Sequence, residues 1–326
     1  MKTGTAHLPL HGGRAPRWLF ERMKLLAREI SLVLCSQTGP QEFLRKLSDP
    51  YWFQAFGCVL GFDWHSSGLT TTVCGALKEG LKYAGREIGI FVCGGKGSTS
   101  RKTPSDIQTL ADKRLIKFPE KLIYASRMSA KVDNTALQDG YQLYHHTFIT
   151  TKDGDWTVVQ QGMNTFTGWA RRYHWLRDEV TNFVCEPHKA VCCDHKGKTL
   201  NMVAKESENA RDKSAEISRT HPEKTIKKYR KIENLSLKLH HQIGPGEIKS
   251  KNLFKTLLAT YEKKARDFEA LLGIEGVGPK TIRALALISE LVYGEKPSFR
   301  DPARFSFTHG GKDGHPYPLD RTTYDI

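Results

Sequence analysis

No apolar run in this 326-residue chain approaches the ~20 residues that a membrane-spanning helix requires. The N-terminal stretch MKTGTAHLPLHGG lacks both a long apolar core and a small-residue cleavage pattern, so no secretory signal is read there. Cysteine is sparse and odd in number, seven in all, and Cys58, Cys74 and Cys93 lie inside apolar runs. That usage excludes a disulfide framework and fits thiols acting as small hydrophobes in a reducing cytoplasm, which is the expected location. Internal repeats and heptads are absent as well, which sets aside solenoids and coiled coils. What remains is ordinary globular composition, 39% hydrophobic and 26% charged, in a chain long enough for two domains.

Charge is the first positive signal. Fifty Lys and Arg against 35 Asp and Glu give +15, with +9 up to Ala204 and +6 beyond it. Both halves therefore favour a polyanion, and affinity for one would fall with salt.

Periodicity organises the chain. The stretch PRWLFERMKLLAREISLVL carries Leu19, Met23, Leu26, Ile30 and Val33 at helical spacing, and QEFLRKLSDPYWFQAF reads as one further helix ending near Gly57. GFDWHSSGLTTTVCGALKEGLKYAG reads as a loop and then a helix, and REIGIFVCGGKG as a buried strand entering a glycine-rich loop. HHTFITT and DWTVVQQGM are strands joined by the hairpin turn KDGD. After Ala204 the sequence becomes charged and poor in large apolar residues, the composition of a solvated helical connector. The expected architecture is an α+β (mixed α/β) N-terminal domain over 1–204, with a small sheet flanked by helices. A connector over 205–249 and an all-α domain with its tail over 250–326 complete it.

The segment Leu271–Leu285 carries the sharpest motif, two helices joined by Gly276-Val277-Gly278. Glycines permit positive φ and bring bare N–H groups to the surface, Val277 plugs the turn, and Pro279 suits the first turn of the second helix. That helix would aim free N–H groups at a phosphate, flanked by Lys280, Thr281 and Arg283. The residues resemble the helix-hairpin-helix superfamily of DNA repair and recombination proteins over some twenty positions. In one subgroup, the DNA glycosylases with lyase activity, a Lys two residues after the second glycine attacks the sugar, and Lys280 matches that place. The resemblance also asks for a downstream Asp, but Asp301 and Asp320 fall poorly on the usual gap.

Further candidates lie before Ala204. The loop Gly94–Pro104 offers three glycines, four hydroxyls and Lys96, Arg101 and Lys102, and Gly94 to Lys131 carries nine basic and three acidic residues. It is no P-loop, but it suits a backbone-tracking groove. Asp133 and Asp139, six apart, precede His145 and His146, while His65 and His11 lie in earlier loops. Carboxylates that hold Mg²⁺ or Mn²⁺ and a base that prepares water are what metal-assisted phosphodiester hydrolysis needs. The strand that would carry an Asp…Glu-x-Lys signature reads instead Val158-Val159-Gln160-Gln161. Cys185, His188, Cys192 or Cys193, and His195 are a candidate tetrahedral Zn²⁺ set, with buried reduced thiols as the alternative. The run Trp169–Trp175 would stack bases if exposed and is core if buried.

The strings LPLHGGRAPRWLFERM, WFQAFGCVLGFDWHSSGLTT, GGKGSTSRKTP, KVDNTALQDGYQLYHHTF, VVQQGMN and ARRYHWL resemble an uncharacterised prokaryotic family, the domain of unknown function numbered 763. The match runs along nearly the whole chain and implies that residues 1 to about 204 and the hairpin belong together, without naming a reaction. Three functions follow from the residues. The first is a divalent-metal-dependent nuclease of DNA repair or recombination, with Asp133, Asp139, His145 and His65 at the metal and water, and with Lys96 and Arg101 on the phosphate. The second is a nucleic-acid-binding protein without chemistry, with DNA favoured over RNA. The third is a glycosylase or lyase using Lys280.

Overall fold

The computed structural model describes residues 4–5, 15–62, 67–193, 195–233, 235, 248 and 250–306. A short strand, β1 (Gly4–Thr5), precedes four helices: α1 (Arg17–Thr38), α2 (Pro40–Ser48), α3 (Pro50–Val59) and α4 (Gly68–Ile88). The expected single helix after Gly39 is in fact two. Asp49 Oδ1 accepts from the backbone N–H of Tyr51 (2.8 Å) and Trp52 (2.9 Å), and Pro50 opens the new helix, so Asp49-Pro50 acts as a cap rather than as helix interior. The buried stripe of α1 also differs from the large-residue pattern. Met23, Ala27, Ser31 and Cys35 face inward, while Leu26 and Val33 are exposed. Close approach to α4 explains it, since a Cβ on Gly80 would come within 2.5 Å of Lys24 O. Only small residues fit between backbones that near.

Strand β2 (Ile90–Lys96) follows, then a 3₁₀ turn over Gly97–Lys102 and helices α5 (Thr103–Asp112) and α6 (Pro119–Lys131). A single π turn, Val132–Ala136, leads into β3 (Leu137–Gln138). Next come β4 (Gln142–Thr151), β5 (Trp156–Asn164), β6 (Trp169–Leu176), β7 (Ala190–Cys192) and β8 (Leu200–Asn201). Helices α7 (Glu208–Ser218), α8 (Pro222–Glu233), α9 (Ser250–Lys263), α10 (Phe268–Gly273) and α11 (Pro279–Tyr293) lead to β9 (Phe305–Ser306).

The main sheet has the order β1-β9-β7-β6-β5-β4-β2. Its body, β2 to β7, is antiparallel, and β9 and β1 extend the β7 edge in parallel. The β4–β5 hairpin pairs Thr150 with Trp156 across the KDGD turn, as its sequence predicts. Alternation then divides the strands between two covered faces. Ile90, Ile149 and Val159 pack under α1 to α4 with Phe43, Phe53 and Leu77. Phe91, Phe148, Val158 and Trp175 pack on the other face. That second core continues without a break into Leu271, Val277, Leu285 and Ile288. A separate C-terminal helical domain is therefore not what the packing shows.

Nor is 205–249 a solvated connector where it is described. Ala210, Ser214, Ala215, Ile217 and Tyr229 are buried, and the Arg211 guanidinium donates to Met202 O (2.8 Å) and Ala204 O (2.7 Å). Its small Ala and Ser residues form a stripe that a count of large apolar residues overlooks. Among the described residues no helix is long and apolar enough to cross a membrane.

Candidate nucleic-acid cleft and a buried relay

The turn that follows β2 makes one wall of a cleft. Gly94 has φ +84°, and a Cβ there would meet His146 O and Thr103 Oγ1 at 2.3 Å, so only glycine lets this strand end lie so close to β4. The following turn satisfies itself: Ser100 Oγ donates to Gly97 O (2.6 Å) and Thr103 Oγ1 to Ser100 O (2.7 Å). Its charges are left outside. Arg101 and Lys102 are exposed, and Lys96 Nζ lies 5.9 Å from the Tyr144 ring centre.

The opposite wall is the turn between α10 and α11. Asp267 Oδ1 caps α10 by accepting from Ala270 N (2.7 Å), Gly276 takes φ +86°, and Val277 is buried. Between the walls lies a cleft of about 660 Å³, lined among others by Arg101, Tyr124, Ser126, Arg127, Lys131, His146, Gly278 and Pro279. Two contacts tie the turn to the sheet-bearing part of the chain: Lys131 Nζ donates to Val277 O (2.5 Å) and Gln138 Nε2 to Pro279 O (2.9 Å). Burial lowers the pKa of Lys131.

Not every expected phosphate ligand faces this cleft. Thr281 and Arg283 are buried, and Arg283 Nε donates to Gln138 Oε1 (3.0 Å), which makes it a structural tie. Lys280 is exposed and lines a neighbouring hollow of about 440 Å³ with Asn252, Thr256, Gly276 and Gly278. Of the loop cations, Arg101 alone lines the larger cleft.

The two aspartates expected at a metal are hydrogen-bond hubs instead. Asp139 Oδ2 accepts from Arg171 Nη1 (2.9 Å) and Tyr173 OH (2.7 Å), and Oδ1 from Tyr141 N (3.0 Å). Arg171 reaches on to Asp301 Oδ2 (2.8 Å), which places Asp301 in this buried cluster. Burial raises the Asp139 pKa, while Arg171, Tyr173 and the Tyr141 N–H oppose it. Asp133 Oδ2 accepts from Gln160 Nε2 (2.5 Å) and Trp175 Nε1 (2.9 Å), and Oδ1 from His188 Nε2 (2.5 Å). With three protein donors on each carboxylate, neither presents a free face to Mg²⁺ or Mn²⁺.

The zinc set is likewise dispersed. His188 serves Asp133, and the His195 ring stacks 5.9 Å from Trp169. Cys193 Sγ lies 3.1 Å from Tyr141 OH, while burial pushes the Cys192 thiol up to about 11 beside Arg172. Cys185 is a half-buried free thiol. Among the described residues no three His, Cys, Asp or Glu side chains come together as ligands. His65 and His11 lie outside the described residues, as does Asp320. Arg171, Arg172, Tyr173 and Trp175 are fully buried, so that run is core rather than a stacking platform.

Sequence reading passed over the chain of contacts that opens on the cleft. His146 on β4 lies directly across from Gln160 on β5. His146 Nδ1 is 2.8 Å from Gln160 Oε1, and His146 Nε2 is 2.9 Å from Ser126 Oγ on α6. The order is thus Ser126, His146, Gln160, Asp133, with Trp175 and His188 on the carboxylate. His145 is not in it, because successive strand residues face opposite ways; its Nε2 meets Thr147 Oγ1 at 2.9 Å. The available signal was that parity: His146 shares a face with the core residue Phe148, and Gln160 with Val158.

Donor chemistry orders the hydrogen bonds in this series. An indole N–H can only donate, so Asp133 Oδ2 is an acceptor. Gln160 must then turn its NH₂ to Asp133 and its carbonyl to His146. Nδ1 of His146 therefore carries hydrogen, and Nε2 offers a lone pair to the Ser126 hydroxyl. Burial lowers the His146 pKa, opposed by the Gln160 bond and by Asp133, and the imidazole is neutral.

The chain belongs to the family described as protein of unknown function (DUF763), which matches it over residues 4–319. No curated protein and no solved structure matches it.

Proposed function

We propose that this protein holds the sugar-phosphate backbone of nucleic acid, DNA in preference to RNA, in the cleft between the Gly97–Lys102 turn and the α10–α11 hairpin. The observation that carries this reading is convergence. Arg101, from the basic glycine-rich loop, and Gly278–Pro279, from the hairpin, are far apart in sequence yet line one cleft with Arg127 and Lys131. Each segment is a phosphate-binding candidate on its own chemistry, and a chain of charge +15 would draw a polyanion to both. The resemblance of the hairpin to the helix-hairpin-helix superfamily is what favours DNA. Contacts of this kind are to the backbone and give affinity without reading sequence. Metal-assisted cleavage is no part of this reading, because Asp133 and Asp139 are committed to protein donors.

Fluorescence anisotropy with labelled single-stranded and duplex DNA is the test. Affinity is expected to fall steeply between about 50 and about 200 mM salt, with a log–log slope of roughly 0.9 per phosphate contacted on duplex. Arg101→Glu with Arg127→Glu should weaken binding at least tenfold and flatten that slope. Binding that ignores salt, or that survives the double charge reversal, overturns the reading.

A further inference from the structure

We propose that Ser126 is a nucleophile and His146 its general base, acting on a phosphodiester lodged in the cleft. The inference rests on the nucleic-acid reading for its substrate class and on the relay geometry for its chemistry.

Three observations distinguish the relay from a merely satisfied polar core. First, Ser126 and His146 line the cleft floor at 2% and 5% exposure, while Asp133 and Gln160 beneath them are fully buried. The reactive end forms the floor of the space where a substrate would lie, and the orienting end lies deeper. Second, the hydrogen-bond directions converge on a single arrangement, with a lone pair on His146 Nε2 2.9 Å from Ser126 Oγ. That is the geometry a hydroxyl nucleophile needs from its base. Third, Arg101, Arg127 and Lys131 line the same cleft, where negative charge would grow on a phosphoryl oxygen.

The reaction balances with water as the only co-reactant. As Oγ of Ser126 bonds to phosphorus, His146 Nε2 takes the hydroxyl proton. The bond from phosphorus to one ester oxygen breaks, and the imidazolium returns the proton to that leaving oxygen. One strand end is released as an alcohol, and the other is held as a phosphodiester on Ser126. Water then gives a proton to Nε2 and its oxygen to phosphorus, the bond to Oγ breaks, and Oγ regains the proton. The imidazolium formed in each step is stabilised by the Gln160 carbonyl dipole, itself polarised by Asp133. Gln160, Asp133, Trp175 and His188 are positioning residues. They hold the amide in the one orientation that leaves Nε2 unprotonated.

The experiment uses the full chain, oligonucleotides labelled at either end, and EDTA throughout. Quenching into denaturant and separating protein from DNA is expected to show one labelled end covalently attached, with mass spectrometry placing it on Ser126. Ser126→Ala should abolish the adduct and reduce cleavage roughly a thousandfold or more. Ser126→Cys, which keeps a nucleophile, serves as a second variant with the fold checked by its unfolding curve. Tight DNA binding with no adduct and no cleavage overturns this proposal and leaves the binding function standing. Cleavage that persists in Ser126→Ala also overturns it. Serine-dependent hydrolysis of bis(p-nitrophenyl) phosphate by a protein that fails to bind DNA supports the nucleophile and removes the nucleic-acid substrate instead.

Discussion

Gln160 does the work that a carboxylate does in a direct Ser–His–Asp arrangement, at one remove. Inserting an amide between His146 and Asp133 keeps the orienting effect and weakens the charge felt by the ring, which agrees with an imidazole that burial holds neutral. The buried histidines have a measurable consequence for stability. Burial, with His146 and Lys96, lowers His145 from 6.5 to about 3. A folded value below the unfolded one means that the unfolded chain binds the extra proton in that window. Stability is therefore full above pH 6.5 and declines as pH falls towards 3, by about 1.4 kcal/mol per pH unit for one proton. His146 and His174 are lowered too, chiefly by burial, and act in the same direction. Urea unfolding of wild type and His145→Gln at about pH 7, 6 and 5 should give curves whose difference shrinks as pH falls. Parallel pH dependences would contradict this account. At this scale the sequence read Asp133 and Asp139 as metal ligands, whereas the structure shows each accepting from three protein donors. Residue type is legible in a string, but whether a carboxylate meets a cation or Trp175 and Arg171 is decided by partners over thirty residues away.

Elements were easier to read than their joints. The β4–β5 hairpin, the strand entering a glycine-rich loop and the α10–α11 turn all follow from local pattern, because turn chemistry and alternation are short-range. The Asp49-Pro50 break and the inward stripe of α1 depended on a cap and a close helix contact, and those are visible only in three dimensions. Two glycines beside the cleft give a matched test. Gly276 has φ +86° with nothing within 4 Å of an added Cβ, so Gly276→Ala meets strain alone, of about 1 kcal/mol. Gly94 has both positive φ and backbone oxygen 2.3 Å from that Cβ, so Gly94→Ala must push β2 from β4. Thermal unfolding should show Gly276→Ala near wild type and Gly94→Ala strongly destabilised, by more than about 3 kcal/mol. Equal effects would mean that the two turns are not built as described.

At the scale of the molecule, the charged composition after Ala204 concealed a structural role, since Arg211 and the small residues of α7 pack where large apolar ones were sought. Cores are shared across sequence in ways that composition cannot register. Because Leu285 belongs to the same cluster as Phe148 and Val158, Leu285→Ala should lower stability by about 2–5 kcal/mol and speed amide exchange in β4 and β5 together with α11. Exchange confined to the C-terminal helices would instead reveal an independent unit. The two sheet faces differ in when the ribosome can deliver them. The layer under α1 to α4 is complete once Val159 has emerged, whereas the opposite face awaits Ala303. At about 5–20 residues per second, that leaves this side of a nascent sheet covered only by α5 and α6 for roughly 7 to 29 seconds, long enough to engage a chaperone before the cleft exists.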